Sequence, residues 1–360
     1  MTHIQLTEAQ ARAGEMLLDA LDGDVRAKSR LTEAISTSDI PVQLRPTLTR
    51  MAETAYNEVE STWTDYATRD TTPDFESHRA FTFEWDDKFI PSEKDGKEFY
   101  SGGLAPVGEL GEYPSLTMSA SQTDIQTRKN GVRVPISWEA IVRSGNFGLI
   151  PKAIAEMGKR AKRQENYEAA RQLVDASGVN AKNFNAKNGN VLKGNPALSI
   201  DALEKAIAEL AIVKNAKGVR VASPTKFNLL VPSTLKGLAD AIVGIDKFTV
   251  TEGGLTYDKP NTVAGRINKV IEIPEFTVIG GDKADTAWFL LPTTDWDKPG
   301  VVNVFLEGYE TPQVFVRNTH NGNPEDGDFD HDAYDTKMRH VVAGGMAHTI
   351  ATLASNGTGK

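Results

Sequence analysis

Cysteine is absent from all 360 residues, which excludes disulfides, thiolate metal sites, iron–sulfur clusters and thiol catalysis. That absence fits a reducing compartment. No secretory leader is expected, because Met1 to Gln10 has neither the basic start nor the apolar stretch of one. Long apolar runs are lacking too. Val341 to Ala354, the longest apolar stretch free of Asp, Glu, Lys and Arg, falls short of the ~20 residues that span a bilayer. Nor is there an excess of positive charge. Forty basic side chains face 49 acidic ones for a net charge of -9, which disfavours general attachment to nucleic acid or anionic membrane.

Chemical motifs are scarce. The pairs Gly102-Gly103, Gly253-Gly254, Gly280-Gly281 and Gly344-Gly345 lack the spacing that cradles phosphates at a helix start. Six histidines, His3, His78, His320, His331, His340 and His348, include no HExxH pair, and no GxSxG elbow supplies a serine nucleophile. No catalytic residue and no cofactor is expected. Asp326, Asp328 and Asp330, with Glu325, Asp332, Asp335 and His331 beside them, are the candidate ligands for a hard cation and hence for a metal-dependent enzyme. An EF-hand loop starting at Asp326 would need glycine and glutamate where His331 and Lys337 stand. The favoured expectation is a solvated acidic loop that leads into a strand and pairs with basic groups.

What is present is an ordinary globular composition, 39% hydrophobic and 25% charged, in a chain long enough for two domains or one large one. Leu6, Ala9, Ala13, Leu17 and Leu21 recur at helical spacing. So do Leu44, Leu48, Met51, Ala55 and Val59, with Pro46 bending or delaying the first turn. Phe81, Phe83 and Trp85 then alternate as in a strand. Lys88 to Gly111 is dense in glycine and proline and reads as a connection. Ser115 to Arg128 reads as extended polar chain, Asn130-Gly131 as a tight turn, and Val132 to Trp138 as a returning strand with Pro135 at an edge. Residues 98 to 135 are thus expected to form a two-stranded arm with too few large apolar groups to bury alone.

The longest helix is predicted from Leu149 to Ala176, with Pro151 in its first turn. Its basic block, Lys159, Arg160, Lys162 and Arg163, is interspersed with Glu156, Glu165 and Glu168. Salt bridges within or between subunits are favoured over nucleic-acid contact. A loop over 177 to 197 marks a domain boundary. Beyond it come a helix over 200 to 213, a strand over 218 to 222, a helix from Pro224 through Leu230, and strands at Val270 to Ile273, Phe276 to Ile279, Trp288 to Leu291, Val301 to Leu306, Pro312 to Arg317 and Lys337 to Val342.

The segments Gly111-Glu-Tyr-Pro-Ser-Leu-Thr-Met-Ser-Ala-Ser-Gln-Thr and Val134-Pro-Ile-Ser-Trp-Glu-Ala-Ile, followed by a helix rich in Arg and Lys, resemble major capsid proteins of tailed bacteriophages. Ser36-Thr-Ser-Asp-Ile-Pro, Ser61-Thr-Trp and Pro73-Asp-Phe are similar to the amino-terminal arm of the Mu-type head subunit. Gly218-Val-Arg-Val-Ala-Ser-Pro resembles the strand-to-helix step of the axial domain, and Tyr334-Asp335, Met338-Arg339-His340 and Gly344-Gly345 resemble the family's final strand.

The resemblance implies an α+β chain with the Hong Kong 97 phage capsid fold. Its parts would be an extension over 1–35, an N-terminal arm over 36–97, an extended β-hairpin loop over 98–135, a peripheral domain with a long spine helix over 136–199, an axial domain over 200–300, and peripheral return strands with the C-terminus over 301–360. It also implies a non-enzymatic shell protein that self-assembles into hexamers and pentamers around packaged double-stranded DNA, in a virion assembled in the host cytoplasm. Portal, scaffold and decoration proteins would be further partners, and no membrane is involved. Glu112, Tyr113, Arg128, Lys129, Arg160 and Arg163 are the candidate intersubunit contacts. No lysine stands in Leu116-Thr-Met-Ser-Ala-Ser-Gln-Thr, where some relatives cross-link, so a non-covalent shell is expected. An encapsulin-like cargo compartment is the alternative on the same fold.

Overall fold

The computed structural model describes residues 8–21, 24, 26–27, 40–85, 107–111, 113, 118–137, 149–213, 223–252, 255–316 and 333–359. Two helices come first, α1 (Glu8–Leu21) and α2 (Ile40–Glu58). Pro41 falls in the first turn of α2, where backbone N–H groups have no intrahelical acceptor, whereas Pro46 lies inside the helix at the cost of one backbone hydrogen bond and does not delay its start at Ile40. A 3-10 turn (Thr62–Asp65) leads into strand β1 (Ala67–Thr72). This strand lacks an apolar alternation and pairs parallel to β12 (Val301–Leu306).

The strands β2 (Ser77–Trp85) and β3 (Met118–Gln126) pair antiparallel from Ser77↔Gln126 to Trp85↔Met118. Nine residues each, they extend roughly 30 Å at ~3.4 Å per residue. This ladder corrects the expected hairpin. Asn130 and Gly131 do not turn the chain; they lie inside β4 (Lys129–Ser137), opposite His340 and Arg339 of β14 (Ala333–Met346). The arm is therefore built from β2 and β3, while β4 belongs to the body. A residue type that favours turns was overridden by nine consecutive cross-strand partners. Pro135 does stand on a strand that pairs on one side alone among the described residues.

The long helix α3 (Leu149–Ala170) begins as expected and ends six residues early, giving way to the short pair β5 (Val174–Asp175) and β6 (Gly178–Val179). It lies against a five-stranded sheet, order β1-β12-β14-β13 with β4 also on β14, where β13 is Gln313–Val316. The second sheet has order β10-β7-β11-β15, formed by Ile267–Glu272, Phe227–Val231, Trp288–Pro292 and Leu353–Ser355. Helices α4 (Ile200–Leu210) and α5 (Ser233–Gly244) flank it, and Ser199 caps α4 by accepting from Ala202 N at 3.1 Å.

Two expectations fail here. Phe227–Val231, read as the end of a helix from Pro224, is a central strand buried at every position; such strands show no alternation because both faces are covered. Phe276–Ile279, read as a strand, lies in the short helix α6 (Glu275–Gly280). The strand expected at 218–222 lies outside the described residues. Strand β15 returns to the second sheet, and Leu192 and Leu198 join that sheet's core with Leu353. Segments 136–199 and 301–360 thus each serve both bodies. β8 (Lys247–Glu252) and β9 (Leu255–Pro260) pair antiparallel as a further two-stranded sheet.

One core lies between α3, the 3-10 turn and the inner faces of both sheets, with Trp63, Tyr66, Leu173, Phe276, Phe289 and Phe305 fully or nearly fully buried. Another joins α1, α2 and α3 to β13 and β14 through Leu17, Leu48, Ala52, Ile154, Met157 and Met338. Two glycines let α3 approach its neighbours. A Cβ at Gly158 would collide with the Ala52 carbonyl oxygen of α2, and one at Gly344 of β14 with the Glu168 carbonyl oxygen of α3.

Gly158→Ala should therefore lower stability by about 1–3 kcal/mol through overpacking, although alanine is favoured over glycine in a helix by about 1 kcal/mol. Gly237→Ala, in α5 with open space around it, should instead gain a few tenths to about 1 kcal/mol. Urea denaturation of the two variants checks both signs.

Candidate assembly surfaces

At its root the β2–β3 arm is anchored by Ile125, buried against Val302, Val304 and Ala343. His78 Nε2 lies 2.8 Å from Asp70 Oδ2. Outward of these contacts the arm is a two-stranded ribbon with no further sheet partner among the described residues. In the chain between β2 and β3, Leu110 is fully exposed and Tyr113 is 83% exposed. Glu112 lies outside the described residues.

A groove of about 460 Å³ runs between α3 and the strands β4 and β14. Arg160, Arg163, Gln164 and Tyr167 line it from the helix, Asn130 from β4 and His340 from β14. Arg160 and Arg163 share one carboxylate, Glu156 Oε1, at 3.4 and 3.2 Å. Two guanidiniums against one carboxylate leave the rim positive. Arg128 and Lys129 are exposed at the start of β4, whose second edge is unpaired among the described residues. Such an edge is a template for a further strand.

The basic block thus divides by direction. Lys159 reaches Glu58 of α2 at 3.2 Å, Arg160 and Arg163 stay at the groove, and Lys162 turns inward to Glu165 at 2.9 Å. The expectation of ion pairing holds for all four.

Beneath the groove lies a buried polar knot that the sequence did not mark. The Glu165 side chain is 1% exposed. Its Oε1 accepts from the Tyr56 hydroxyl of α2 and from His340 Nε2 at 3.0 Å. Its Oε2 accepts from Trp63 Nε1 at 3.0 Å and Lys162 Nζ at 2.9 Å. Asn303 of β12 donates to the Glu165 main-chain oxygen at 3.0 Å. Burial alone would raise the carboxyl's pKa. The hydrogen bond from His340, the Lys162 charge and the Tyr56 hydroxyl outweigh it and hold Glu165 below the usual carboxylate value. The Tyr56 phenol moves far upward, first through burial and then through the Glu165 charge.

The acidic candidates Asp326, Asp328 and Asp330 lie outside the described residues. At the end of that run, Asp335 sits in β14 and takes a bidentate pair from Arg133, at 2.9 Å from Nε and 2.5 Å from the second guanidinium nitrogen. Among the described residues no group of three His, Cys, Asp or Glu side chains is placed to hold a metal. No described helix is long and apolar enough to cross a membrane.

Comparison with known proteins gives one family. The model described as "Phage capsid protein" matches residues 120–352, more than half of the chain. No curated protein matches. Solved structures that are similar include the head of Helicobacter pylori bacteriophage KHP40, 9% identical over 80% of this chain and 87% of that one, with a TM-score of 0.45. The mature capsid of bacteriophage PhiM1 is 13% identical over 82% and 86%, also at 0.45. A virus-like particle from Pyrococcus furiosus is 10% identical over 86% and 98%, at 0.43.

Glu165→Gln should cost about 3–5 kcal/mol, because it leaves the inward-turned Lys162 without its counter-charge. The sign with pH follows from the lowered carboxyl. Its stabilisation is fully present above the unfolded value of 4.5 and is lost as pH falls through the lower folded value. Denaturation midpoints followed downward from about pH 5 should therefore drop in the parent protein, and drop less in Glu165→Gln.

Proposed function

The chain belongs to the phage capsid protein family, and on that premise we propose that it is the major head subunit, of the Mu type, which assembles as hexamers and pentamers into an icosahedral shell around packaged DNA. Its α+β architecture is that of the Hong Kong 97 phage capsid fold, with α1 in the N-terminal extension, α2 in the N-terminal arm, β2–β3 as the extended loop, α3 as the spine and the β10-β7-β11-β15 body as the axial domain. The shell is assembled in the host cytoplasm and works with portal, scaffold and decoration proteins. The protein is structural, in keeping with its family.

The observation that carries this reading is a mismatch within one molecule. Among the described residues the β2–β3 ribbon has no further sheet to cover it, while the body carries a positive groove beside a strand edge left open. Residues 86–117, between the two strands, hold more carboxylates than lysines, with Glu109 and Glu112 among the former and Lys88, Lys94 and Lys97 the latter. A chain cannot easily fold its own ribbon back onto its own groove, whereas a neighbouring copy can offer one. Glu112 and Tyr113 of one subunit meet Arg128, Lys129, Arg160 and Arg163 of the next. Each such pair is exposed and weak alone, worth about 0–1 kcal/mol, and many are summed by the closed symmetry of a shell.

Arg160→Glu with Arg163→Glu should leave a folded subunit, since both side chains are about half exposed or more, and should abolish shells in negative-stain microscopy. Adding Glu109→Lys and Glu112→Lys should restore them. Replacing residues 86–117 by a short Gly-Ser turn should likewise give soluble, unassembled protein. Normal shells from either loss-of-contact variant would sink the placement of the arm, and shells that hold a cargo enzyme in place of DNA would favour a compartment protein.

A further inference from the structure

The two sides of β4 differ in what their backbone groups meet. The Arg128 carbonyl oxygen accepts from Val342 N of β14 at 3.2 Å, and the Val134 carbonyl oxygen accepts from Thr336 Oγ1 at 3.2 Å. In an antiparallel ladder the N–H and C=O of one residue point to the same side, and that side alternates along the strand. Pairing of β4 with β14 is consecutive from Lys129↔Val341 to Ser137↔Ala333. Asn130, Val132 and Val134 therefore turn their backbone groups to β14, and Lys129, Gly131 and Pro135 turn theirs away from it.

Proline stands where this alternation tolerates it. Pro135 has no N–H to give, and at an outward position the β4–β14 ladder loses nothing by that. The open edge is what loses a donor. At the other end Lys129 and Gly131 keep an N–H and a C=O each, directed outward, and no described strand meets them. Both residues are exposed, whereas Asn130, Val132 and Val134 are half-buried and hold β4 to the body. The edge is thus blunted at one end and left with its hydrogen-bonding groups at the other.

Charge selects what can pair there. Arg128 and Lys129 are exposed at this end, and Arg160 and Arg163 line the adjoining groove. A second β4 edge would bring the same cations against these and be repelled, while a segment that carries carboxylates is attracted. Asn130, Gly131 and Val132 also line the groove, so a chain seated on the edge lies beside the surface that receives Glu112 and Tyr113 of a neighbouring copy.

We infer that the outward edge at Lys129 and Gly131 is a strand-addition site for a second copy of this chain, which lays the backbone of its Glu112–Tyr113 segment on the five-stranded sheet as a short extra strand. The inference rests on the capsid reading and its placement of the arm. Main-chain hydrogen bonds supply the contact, and the Glu112 carboxylate beside Lys129 sets which chain is accepted. Pro135 ends the added strand before the far end of β4, so a short segment fits and a long pairing of two sheets does not.

Residue-resolved hydrogen exchange on free subunits and on assembled shells tests the site. The Lys129 and Gly131 amides should exchange fast in the subunit and be slowed about tenfold or more in the shell. The Asn130 and Val132 amides, turned to β14, should be slow in both. Variants test the backbone donor separately from the charge. A proline at Gly131 would put its Cβ 2.7 Å from the Met338 carbonyl oxygen, so the substitution is made at Lys129, the first residue of the strand, where proline is tolerated. Lys129→Pro should raise the protein concentration at which shells form about two- to tenfold over Lys129→Gln, which removes the charge alone. Pro135→Thr, which gives the edge one more N–H, should lower that concentration by a like factor relative to the parent protein.

Lys129 and Gly131 amides that exchange as fast in shells as in subunits overturn the proposal, as does a Lys129→Pro variant that assembles like Lys129→Gln. If those amides are unprotected while Arg160→Glu with Arg163→Glu still abolishes shells, the arm placement stands and the added strand falls. If the charge reversal assembles normally, the arm placement fails and takes the assigned occupant with it. The exchange comparison uses the unaltered chain and decides the question even where a variant does not fold.

Discussion

A carboxylate almost wholly withdrawn from water holds this molecule to one geometry. Burying the Glu165 charge costs several kcal/mol by itself. It is tolerated because donors from three directions converge on it: Tyr56 from α2 with Trp63 from the turn that follows, Lys162 from α3, and His340 from β14. Each donor that leaves exposes the buried charge to a larger share of its desolvation cost. An apolar cluster would let α2 slide along α3 with little change in buried area. Directional bonds to two oxygens do not permit that, and α2 is fixed against α3 in register as well as in place.

The rest of the body follows from this fixed point. Gly158 and Gly344 let α3 touch the backbones of α2 and β14 directly, so at those two points no side chain stands between them to change rotamer. The basic groove lies directly on this frame, lined by α3 and by His340 of the knot. Recognition surfaces on a rigid frame lose less entropy on assembly than surfaces that must first be ordered.

How much of this could be read from the residues depended on what signalled it. Amphipathic stripes such as Leu48, Met51 and Ala55 gave the helices, and the alternation of Phe81, Phe83 and Trp85 gave an arm strand. The pairing partner of that strand could not be read. Asn130-Gly131 offered a local turn signal, whereas the true ladder joins residues some forty positions apart. Phe227–Val231 lost its strand signature because both of its faces are covered. For the surfaces, the basic block and its ion pairing were legible at helical spacing. The knot was not, because Tyr56, Trp63, Glu165 and His340 are ordinary residues scattered along the chain, and only the fold brings them together.

Pro135 lies in β4, the strand whose outer edge is open among the described residues, and it lacks the N–H that a further strand would need. An unbroken edge is an invitation to end-on stacking, and stacks of identical chains become fibres. A proline there sets a short limit on how far an incoming strand can zip. Contact between copies then has to come from many brief engagements spread over a surface. Matter joined in that way grows as a sheet that can curve and close, and each misplaced piece can still leave.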